Sequence, residues 1–404
     1  MKINSIILEN FRNYKNLELD FDESRNIIVG ENAQGKTNLL ESIYYLATTK
    51  SPLASSDRQL MHWDAGQEVI PHTDMRATFV RGGDEHTLEA ILVKEPPANG
   101  DPQNAVFKRQ ILLDGVPRRA LDVVGRLNVV LFLPQDISLV SGSPAERRRY
   151  LDVTLCQIDS QYCRSLSRYN RVMTQRNALL RSLREGYGRS DELAYWDEQL
   201  TALGAYVLAR RLETVDDLSR MVDPIQQSLT GGQEHLSLDY QNSLTERPTD
   251  GVPLPDAENV GDEERWARIF AGALRQARGE EIARGVTVVG PHRDDMRFIL
   301  NGVDATVYGS RGQQRTAALA LKLAEVGVME RHAGEMPILL LDDVLSELDL
   351  HRGYYLMETI SRAQQVLVTT THLRDYTPEF LEAAMLWCVK AGTLRPLEAD
   401  EVGE

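Results

Sequence analysis

Cysteine and long apolar segments are scarce in this chain of 404 residues. It has 3 cysteines, and because Cys156, Cys163 and Cys388 form no Cys-x-x-Cys pair, no disulfide framework, zinc knuckle or redox motif is indicated. No apolar stretch reaches the roughly 18 residues of a membrane-spanning helix. The first residues lack the apolar run and cleavage site of a secretory signal. We therefore expect a cytoplasmic protein with no membrane partner.

Basic residues are also in deficit. The chain has 45 Lys and Arg against 60 Asp and Glu, a formal net charge of -15, which taken alone argues against a nucleic-acid partner. The distribution reverses this inference, because residues 138–190 contain ten arginines and four acids, a local charge of +6. A basic segment of this kind predicts contacts with DNA phosphates, and a merely solvated helix face is the alternative. The predicted DNA-binding side chains are Arg147, Arg148, Arg149, Arg164, Arg168 and Arg171.

The pattern of apolar residues predicts a mixed sheet with helices. Short strand-like runs occur at 6–8, 17–21 and 26–30, and a helical pattern follows them. Turn dipeptides at Asp114-Gly115 and Asn301-Gly302, each between apolar runs, predict two hairpins.

Residues from about 145 to 221 predict an antiparallel helical arm. Apolar residues recur at three- and four-residue spacing on one long helix, and the glycine-containing segment 185–190 separates it from a second. Residues 241–264, rich in proline, glycine and acids, predict a mobile loop. The strand-like pattern returns at 286–290. The sequence contains no recognition-helix pattern, so we do not expect sequence-specific readout of DNA bases.

Residues 30–37, GENAQGKT, match the phosphate-loop pattern G-x-x-x-x-G-K-[ST] between a predicted strand and a predicted helix. Backbone N–H groups and the helix N-terminus would hold the phosphates of ATP, Lys36 would reach the β- and γ-phosphates, and Thr37 would ligate Mg²⁺. An accidental glycine-rich turn is the alternative. The predicted ATP-binding members are Gly30, Glu31, Asn32, Ala33, Gln34, Gly35, Lys36 and Thr37.

An apolar run that ends in two acids supplies the second half of such a site. The run 338–341 is followed by Asp342, placed to hold Mg²⁺ through its water shell, and by Asp343, in the position of a general base for the attacking water. The alternative is that the two acids merely cap the end of a strand, and the presence of the phosphate loop disfavours this alternative.

The spacing of the two motifs points to a particular class of ATPase. About 300 residues separate Lys36 from Asp342, far more than in a compact GTPase, and the predicted arm lies between them. In this respect the chain resembles the ABC-type ATPases of the structural-maintenance and Rad50 class, whose head domain is split by inserted helices. It resembles more closely the RecF family of bacterial recombination mediators.

The resemblance covers nearly the whole chain. It includes the segment FRNY at 11–14, in which Arg12 is a candidate nucleotide contact, and residues 132–152, in which Gln135 occupies a Q-loop position. The segment GPHRD at 290–294 resembles the family's GPHR turn, and His372 stands where the switch histidine belongs.

The resemblance also implies a site shared between two copies of the chain. Ser310, Gly312 and Gln313 resemble the signature loop of ABC ATPases, which would contact the γ-phosphate held by the other subunit. Asp349, in the segment SELD, resembles the D-loop. ATP would then close a two-fold homodimer with two composite sites. The alternative is that Ser310 only caps a helix.

Some positions depart from the family pattern. Ala33 replaces a glycine, which is tolerable if its φ is negative. Gln135 stands where Glu is common, and Gly309 stands where a larger residue is common. Asp343, where many ABC ATPases have Glu, agrees with the RecF family and implies slow turnover.

We therefore predict an α/β fold, an ABC-type ATPase head with mixed sheet and P-loop, plus an inserted helical arm. The predicted domains are a head at 1–137 and 286–395, an arm at 138–285 and an acidic tail at 396–404. The resemblance implies an ATP-dependent DNA-binding protein of recombinational repair, replication and the SOS response.

The implied activity is a weak, DNA-dependent ATPase with ATP and Mg²⁺ as cofactors. The implied partners are single-stranded DNA or single/double-strand junctions, a second copy and a RecR-type mediator protein. A Rad50-like tether is disfavoured by the short arm and the missing Cys-x-x-Cys hook. A transporter ATPase subunit is disfavoured by the helical insertion.

Overall fold

The chain divides into two compact units. The head unit comprises residues 1–136 and 329–404, and the arm unit comprises residues 137–328. Within the described ranges no helix is long and apolar enough to cross a lipid bilayer. The computed structural model describes residues 1–67, 70–95, 106–249, 251–256 and 259–397.

The strands are short to medium in length and fall in both units. In chain order they are β1 (Lys2–Phe11), β2 (Tyr14–Asp20), β3 (Arg25–Val29), β4 (His72–Arg81), β5 (Asp84–Glu95), β6 (Val106–Leu113), β7 (Val116–Arg118), β8 (Val129–Phe132), β9 (Leu236–Gln241), β10 (Asp295–Leu300), β11 (Val303–Asp304), β12 (Ile338–Asp342), β13 (Val366–Thr370), β14 (Met385–Lys390) and β15 (Thr393–Pro396).

The longest helices belong to the arm unit. In chain order the helices are α1 (Lys36–Thr48), α2 (Ala120–Val123), α3 (Ser138–Ser141), α4 (Pro144–Ile158), α5 (Ser160–Arg184), α6 (Leu193–Thr230), α7 (Glu263–Arg284), α8 (Ala305–Tyr308), α9 (Arg311–Ala333), α10 (Leu350–Ile360) and α11 (Pro378–Glu382).

Two six-stranded sheets form the head unit. One is antiparallel, in the order β2-β1-β4-β5-β6-β7, and the other has the order β15-β14-β3-β13-β12-β8 and is parallel except at β15. Helix α1 contacts strands of both sheets, and its Leu39 and Ile43 are fully buried. Strand β12 is buried along its whole length, as expected for a central strand covered on both faces.

Helices α5 and α6 form the predicted antiparallel arm, joined by the predicted break at 185–190. The first long helix is not continuous as predicted, because Asp159 ends α4 and caps α5. Its carboxylate accepts the N–H groups of Gln161 and Tyr162, both at 2.9 Å. The apolar stripe continues on both sides of Asp159, so periodicity alone does not reveal the break.

A three-stranded sheet, β11-β10-β9, completes the arm unit. The predicted strand at 286–290 does not form, because side chains rather than a neighbouring strand hold this segment. The N–H of Thr287 donates to Asn177 Oδ1 (2.8 Å), and the N–H of Val288 donates to Glu281 Oε1 (2.9 Å).

The boundaries of the predicted domains need one correction. The first lies within a residue of the division at 136–137, but residues 286–328 belong to the arm unit and not to the head. The reason is local pairing, since β10 bonds to β9 and α8 packs on β10. The described part of 241–264 has no regular structure between Gln241 and Glu263. The predicted acidic tail lies outside the described residues from 398 onwards.

Both predicted hairpin turns form. Asp114 and Gly115 have φ of 52° and 72°, and Asn301 and Gly302 have φ of 49° and 82°. Positive φ at both central residues is what a two-residue type I′ turn requires.

Candidate phosphate-binding site

The phosphate loop, residues 30–37, joins β3 to α1 in the head unit. The segment FRNY supplies two of its supports. The Tyr14 hydroxyl donates to the Gly35 carbonyl (2.9 Å), and the Asn13 amide donates to the Gln34 carbonyl (2.8 Å). Tyr14 is completely buried, so this part of the motif supports the backbone of the phosphate loop from inside the head unit.

The turn between β14 and β15 supports the loop from another direction. The N–H of Ala391 donates to Gln34 Oε1 (2.7 Å), and the N–H of Gly392 donates to the Gln34 carbonyl (3.1 Å). Gly392 has φ of 74°, and an added Cβ would lie 2.2 Å from the Asn13 carbonyl oxygen, so only glycine fits. These contacts within the head unit fix the shape of the loop, which reduces the ordering cost of binding.

The loop borders a cleft of about 220 Å³. This is smaller than the roughly 300–1,000 Å³ of pockets that enclose whole small molecules. The cleft therefore suits a chain of phosphates, with the rest of a nucleotide outside it. Its lining residues are Asn32, Ala33, Gly35, Lys36, Thr37, Asn38, Pro134, Asp342 and Asp343.

Lys36 is the cation of this cleft, and its side chain is buried. Its ammonium donates to the carbonyl oxygens of Gly30 and Glu31, the latter at 2.9 Å. Burial lowers the pKa of Lys36, and the nearby carboxylates of Asp343 and Asp342 oppose that effect. Phosphate oxygens would be stronger partners for the ammonium than these neutral carbonyls.

Asp342 meets the phosphate loop directly. The Thr37 hydroxyl lies 2.9 and 2.8 Å from the two oxygens of Asp342, and the Thr369 hydroxyl donates to Asp342 Oδ1 at 2.7 Å. A hydroxyl beside a carboxylate suits Mg²⁺, which takes one or two protein ligands and completes its shell with water and phosphate oxygens. Among the described residues no group of three acidic, His or Cys side chains could enclose a metal by itself.

Asp343 carries the second carboxylate of the cleft. Its backbone is left-handed, with φ of 49°, and its N–H donates to the Thr369 carbonyl (3.1 Å). Its Oδ1 is buried and accepts no hydrogen bond from any described residue. Burial raises the pKa of Asp343, and Ser346 and Lys36 oppose that effect. An unpaired carboxylate oxygen beside a phosphate site is a candidate acceptor for the attacking water, and the role of Asp343 as general base remains a prediction.

The parallel sheet brings Gln135 and His372 to the same edge. Strands β8 and β13 flank β12, with Phe132 opposite Leu341 and Thr369 opposite Asp342, so the residues that follow them leave the sheet beside Asp342. Both side chains are exposed and neither lines the cleft. Their catalytic roles remain predictions.

The backbone of Ala33 differs from the expectation. Its φ is 65°, in the left-handed region that glycine adopts without strain, whereas a negative φ was the condition for tolerating alanine here. The loop therefore holds one strained residue, at a cost of about 1–2 kcal/mol.

Arg12 is engaged inside the head unit and does not line the cleft. Its Nε and Nη2 donate to the two oxygens of the fully buried Glu41 at 2.8 and 2.7 Å, and its Nη1 donates to the Gln59 carbonyl. The structure thus gives Arg12 a structural role, and its contact with a nucleotide remains a prediction.

The signature loop, residues 310–313, begins helix α9 in the arm unit. The N–H of Ser310 donates to Gln313 Oε1 (2.9 Å), and the N–H of Gln313 donates to Ser310 Oγ (3.2 Å). This reciprocal capping box shows that Ser310 caps helix α9, and its contact with a nucleotide of a second subunit remains a prediction. Ser310 and Gly312 are also exposed, so capping does not occupy the outward face of the loop.

Asp349 caps helix α10 in the head unit. Its carboxylate accepts the N–H of Arg352 (3.0 Å) and forms an ion pair with the Arg352 guanidinium. Asp349 and the following Leu350 are exposed, Leu350 to 95%. The contact of Asp349 with a second subunit remains a prediction.

The predicted DNA-binding arginines separate into two groups. Arg147 is 4% exposed and forms a two-pronged ion pair with Asp295, at 2.6 and 2.8 Å, so the prediction that it contacts DNA is wrong. Arg148 is half-buried and donates to the Asp294 carbonyl (2.7 Å). The side chains on the outer surface are those of Arg149, Arg164, Arg168 and Arg171.

Comparison with known proteins places these motifs in one family. The family described as "RecF/RecN/SMC N terminal domain" matches residues 2–384. The chain is 43% identical over 400 residues to "DNA replication and repair protein RecF" of Chloroflexus aurantiacus, covering 97% of this chain and 99% of that protein. It belongs to the RecF family.

Solved structures agree with this assignment. The structure of the recombination mediator protein RecF with ATP, of the RecFOR pathway, superposes with a TM-score of 0.82 at 30% identity, over 98% of this chain and 97% of that chain. An SMC head domain matches with a TM-score of 0.51 at 15% identity over 99% of both chains, which shows the fold alone. The predicted family and ABC-type ATPase fold are confirmed.

As a RecF protein, the chain functions in DNA replication and recombinational repair, and the ATPase fold supports an ATPase activity. The relatives favour this reading over a transporter subunit or a structural tether. Sequence reasoning missed the supports of the site, namely Asn13, Tyr14, Thr369 and the turn at Ala391. Thr369 follows an apolar run, which is a signal, but its position opposite Asp342 depends on strand register.

Proposed function

We propose that the phosphate loop of this RecF protein binds ATP with Mg²⁺, and that ATP joins two copies of the chain on DNA. The observation that carries the proposal is the arrangement of Lys36, Thr37, Asp342 and Asp343 around one cleft. These side chains supply a cation for phosphates, a hydroxyl and a carboxylate for a metal, and a carboxylate for a water molecule.

Thr37 and Asp342 would hold Mg²⁺, which would neutralise charge on the phosphates when it is bound. Both already share a hydrogen bond, so the oxygens that Mg²⁺ needs lie together without rearrangement. Asp343 would orient the attacking water and accept its proton. Lys36 would exchange its carbonyl partners for phosphate oxygens.

The exposed signature loop supports a site completed by a second copy. Ser310 and Gly312 present a hydroxyl and helix N-terminal N–H groups to solvent, the donors that bind an anion. Exposed apolar side chains lie next to both loops proposed to act across the dimer: Tyr308 is 75% exposed near Ser310, and Leu350 is 95% exposed beside Asp349. Exposed large apolar groups of this kind favour protein contact.

The exposed arginines of α5 support DNA as the partner that this dimer encloses. Arg164, Arg168 and Arg171 are spaced by four and three residues and so share one face of the helix. Single-stranded DNA and single/double-strand junctions are the proposed substrates, in the cytoplasm, with slow DNA-dependent hydrolysis releasing the clamp. The relative of the RecFOR pathway supports a RecR-type mediator protein as a further partner.

Mixing two inactive variants tests the composite site. Lys36→Ala removes the phosphate-loop cation, and Ser310→Arg blocks the signature loop, so each variant alone should lack ATP-dependent dimerisation and ATPase activity. A mixed dimer has one site with both defects and one intact site. Because neither variant dimerises alone, every dimer in the mixture is a mixed one in which one of the two sites is intact, and ATPase activity should reappear on mixing.

The measurement is DNA-stimulated phosphate release from each variant and from an equimolar mixture, with sedimentation of the same samples with ATP and with ADP. Ser310→Arg should retain ATP affinity, because Ser310 does not belong to the phosphate loop. No activity on mixing, or an ATP-dependent dimer of Lys36→Ala, would contradict a site formed in trans.

A further inference from the structure

The side chain of Gln313 is bound at both ends. Its Oε1 accepts the N–H of Ser310 (2.9 Å), which closes the capping box, and its Nε2 donates to Glu234 Oε1 (2.9 Å). The amide plane of Gln313 is therefore fixed by two opposed contacts. Glu234 lies outside helix α9, in the segment between the end of α6 and the start of β9.

The other oxygen of Glu234 leads to helix α6. Gln226, whose side chain is completely buried in the last two turns of α6, donates from Nε2 to Glu234 Oε2 at 2.7 Å. One carboxylate thus accepts two amide N–H groups, one from the arm helix α6 and one from the signature loop. All of these residues belong to the arm unit.

We propose that Glu234 is a positioning residue for the signature loop and that it links the loop to helix α6 through Gln226. The inference rests on the proposed function, because it assigns a partner to the loop that would act in trans. It does not make Glu234 a catalytic residue, since Glu234 acts through Gln313.

The chemistry explains why a carboxylate is needed at position 234. Both neighbours present N–H donors, and a carboxylate offers an acceptor oxygen to each. A glutamine would offer one acceptor oxygen and one NH₂ group, so the contact with Gln226 would survive only if the Gln226 amide turned over, which would leave its buried NH₂ group without this acceptor. An alanine would remove both contacts and leave the buried Gln226 amide without this acceptor.

The contact between Glu234 and Gln313 also affects which groups of the signature loop can bind a phosphate. With Gln313 held by Glu234, Ser310 and Gly312 are exposed in the loop and carry a hydroxyl and an N–H group at the start of α9. Their direction follows from the capping box, and the capping box is held by Gln313. A shift of α6 would therefore move Gln226, Glu234 and the capping box together. Because α6 packs against α5, which carries the exposed arginines, this arrangement couples the proposed DNA-binding helix to the proposed trans site.

Glu234→Gln tests the inference against Asp239→Asn, a control that neutralises an exposed acid on β9 whose carboxylate accepts from Gln241 of the same strand. We expect Glu234→Gln to keep ATP affinity within about twofold of wild type. It should weaken the ATP-dependent dimer about tenfold and lower kcat while leaving KM unchanged, as loss of a charge-assisted hydrogen bond predicts. Asp239→Asn should match wild type in all of these measurements.

The double variant Gln226→Glu with Glu234→Gln provides a rescue. It restores an acceptor for each donor, because the NH₂ group of the glutamine introduced at position 234 faces the new carboxylate at position 226, and its carbonyl oxygen faces Gln313. Dimer affinity should return towards wild type. Hydrogen exchange of the peptide that contains residues 310–313 should be faster in Glu234→Gln than in wild type and slow again in the double variant.

The two proposals fail in different ways. If Ser310→Arg leaves ATP-dependent dimerisation intact, the trans role of the loop is wrong whatever Glu234 does. If Ser310→Arg blocks dimerisation but Glu234→Gln dimerises and exchanges like wild type, the positioning role of Glu234 is overturned.

Discussion

The hydroxyl of Thr37 donates to Asp342, whose two carboxylate oxygens lie 2.9 and 2.8 Å away across 305 positions of sequence. The contact joins the first turn of α1 to the last residue of β12. Thr369 holds the same carboxylate from the neighbouring strand. The two halves of the phosphate site are therefore assembled by the parallel sheet. From the contact between Thr37 and Asp342 we can predict how the site responds to substitution.

Thr37→Val is expected to remove the Mg²⁺-dependent part of ATP affinity. Valine keeps the shape of threonine but has no hydroxyl to orient Asp342 or to ligate the metal, and loss of such a group typically costs about 10–100-fold in metal affinity. Thr37→Ser keeps the hydroxyl and is the matched control. Titration of a fluorescent ATP analogue with Mg²⁺ and with EDTA measures the difference, and equal affinities of Thr37→Val and wild type in Mg²⁺ would contradict the assignment.

Ala33→Gly is expected to stabilise the protein. Alanine at φ of 65° is strained by about 1–2 kcal/mol, and glycine relieves that strain at the cost of about 0.4–1 kcal/mol from its more flexible unfolded chain. The net expectation is a gain of about 0.5–1 kcal/mol in the free energy of unfolding, measured by urea titration. The control is Ala202→Gly at an exposed position inside α6, which should lose up to about 1 kcal/mol. A lower free energy of unfolding for both variants would contradict the conclusion that Ala33 is strained.

Replacing Arg164, Arg168 and Arg171 together by alanine is expected to weaken DNA binding and to flatten its salt dependence. Each phosphate contact contributes about 0.7 with single-stranded DNA and about 0.9 with duplex DNA to the slope of log affinity against log salt, so three lost contacts lower the slope by about 2–3. The matched control replaces Arg220, Arg247 and Arg284, which carry the same charge on other elements of the arm unit.

Fluorescence anisotropy with single-stranded, duplex and gapped DNA over a range of salt concentrations gives both slopes. Equal slopes for the two triple variants would move the DNA site away from α5. Arg147→Ala provides a contrast, because it leaves Asp295 without its buried partner and should reduce stability by about 3 kcal/mol instead of acting on the salt slope.

The unfolding free energy is expected to fall as the pH drops from about 6.5 towards 4 because of His292. Its ring nitrogens contact the Tyr169 hydroxyl (2.7 Å) and the Thr287 carbonyl (3.2 Å), an arrangement that suits the neutral ring. Burial lowers the pKa of His292 to about 4, and Arg293, Arg148 and Arg211 act in the same direction. The unfolded chain, with a pKa near 6.5, binds the proton more readily, so protonation favours unfolding by up to about 3 kcal/mol.

His292→Gln should remove this part of the pH dependence, and His235→Gln, at a histidine whose side chain is 66% exposed, is the control substitution. Thermal unfolding between pH 7.5 and pH 4 measures the effect. A wild-type profile for His292→Gln would show that another group carries the acid sensitivity.

Local patterns were sufficient for much of the site. The phosphate loop, the acids at 342–343, both hairpin turns and the buried central strand were predictable because each depends on residues adjacent in sequence. Long-range placement was not. The break at Asp159 lies within an unbroken apolar stripe, and the segment 286–290 is apolar but is held by side chains of α5 and α7.

The arginines of the arm show the same limit. Ten of them occur between 138 and 190, but only the tertiary structure separates Arg147 and Arg176, which are buried and form ion pairs within the arm unit, from those exposed on α5. Net charge and even local charge are sums over residues, and burial decides which charges a partner can reach.

The amino-acid sequence by itself determined the chemistry of this protein, because a phosphate loop and an acidic strand end are short motifs whose function depends on adjacent residues. Only the tertiary structure decided what supports that chemistry: Thr369 opposite Asp342, the positive φ of Ala33 and the contact of Glu234 with Gln313. Strand register, backbone strain and contacts between distant side chains arise when the whole chain packs, and no local pattern specifies them.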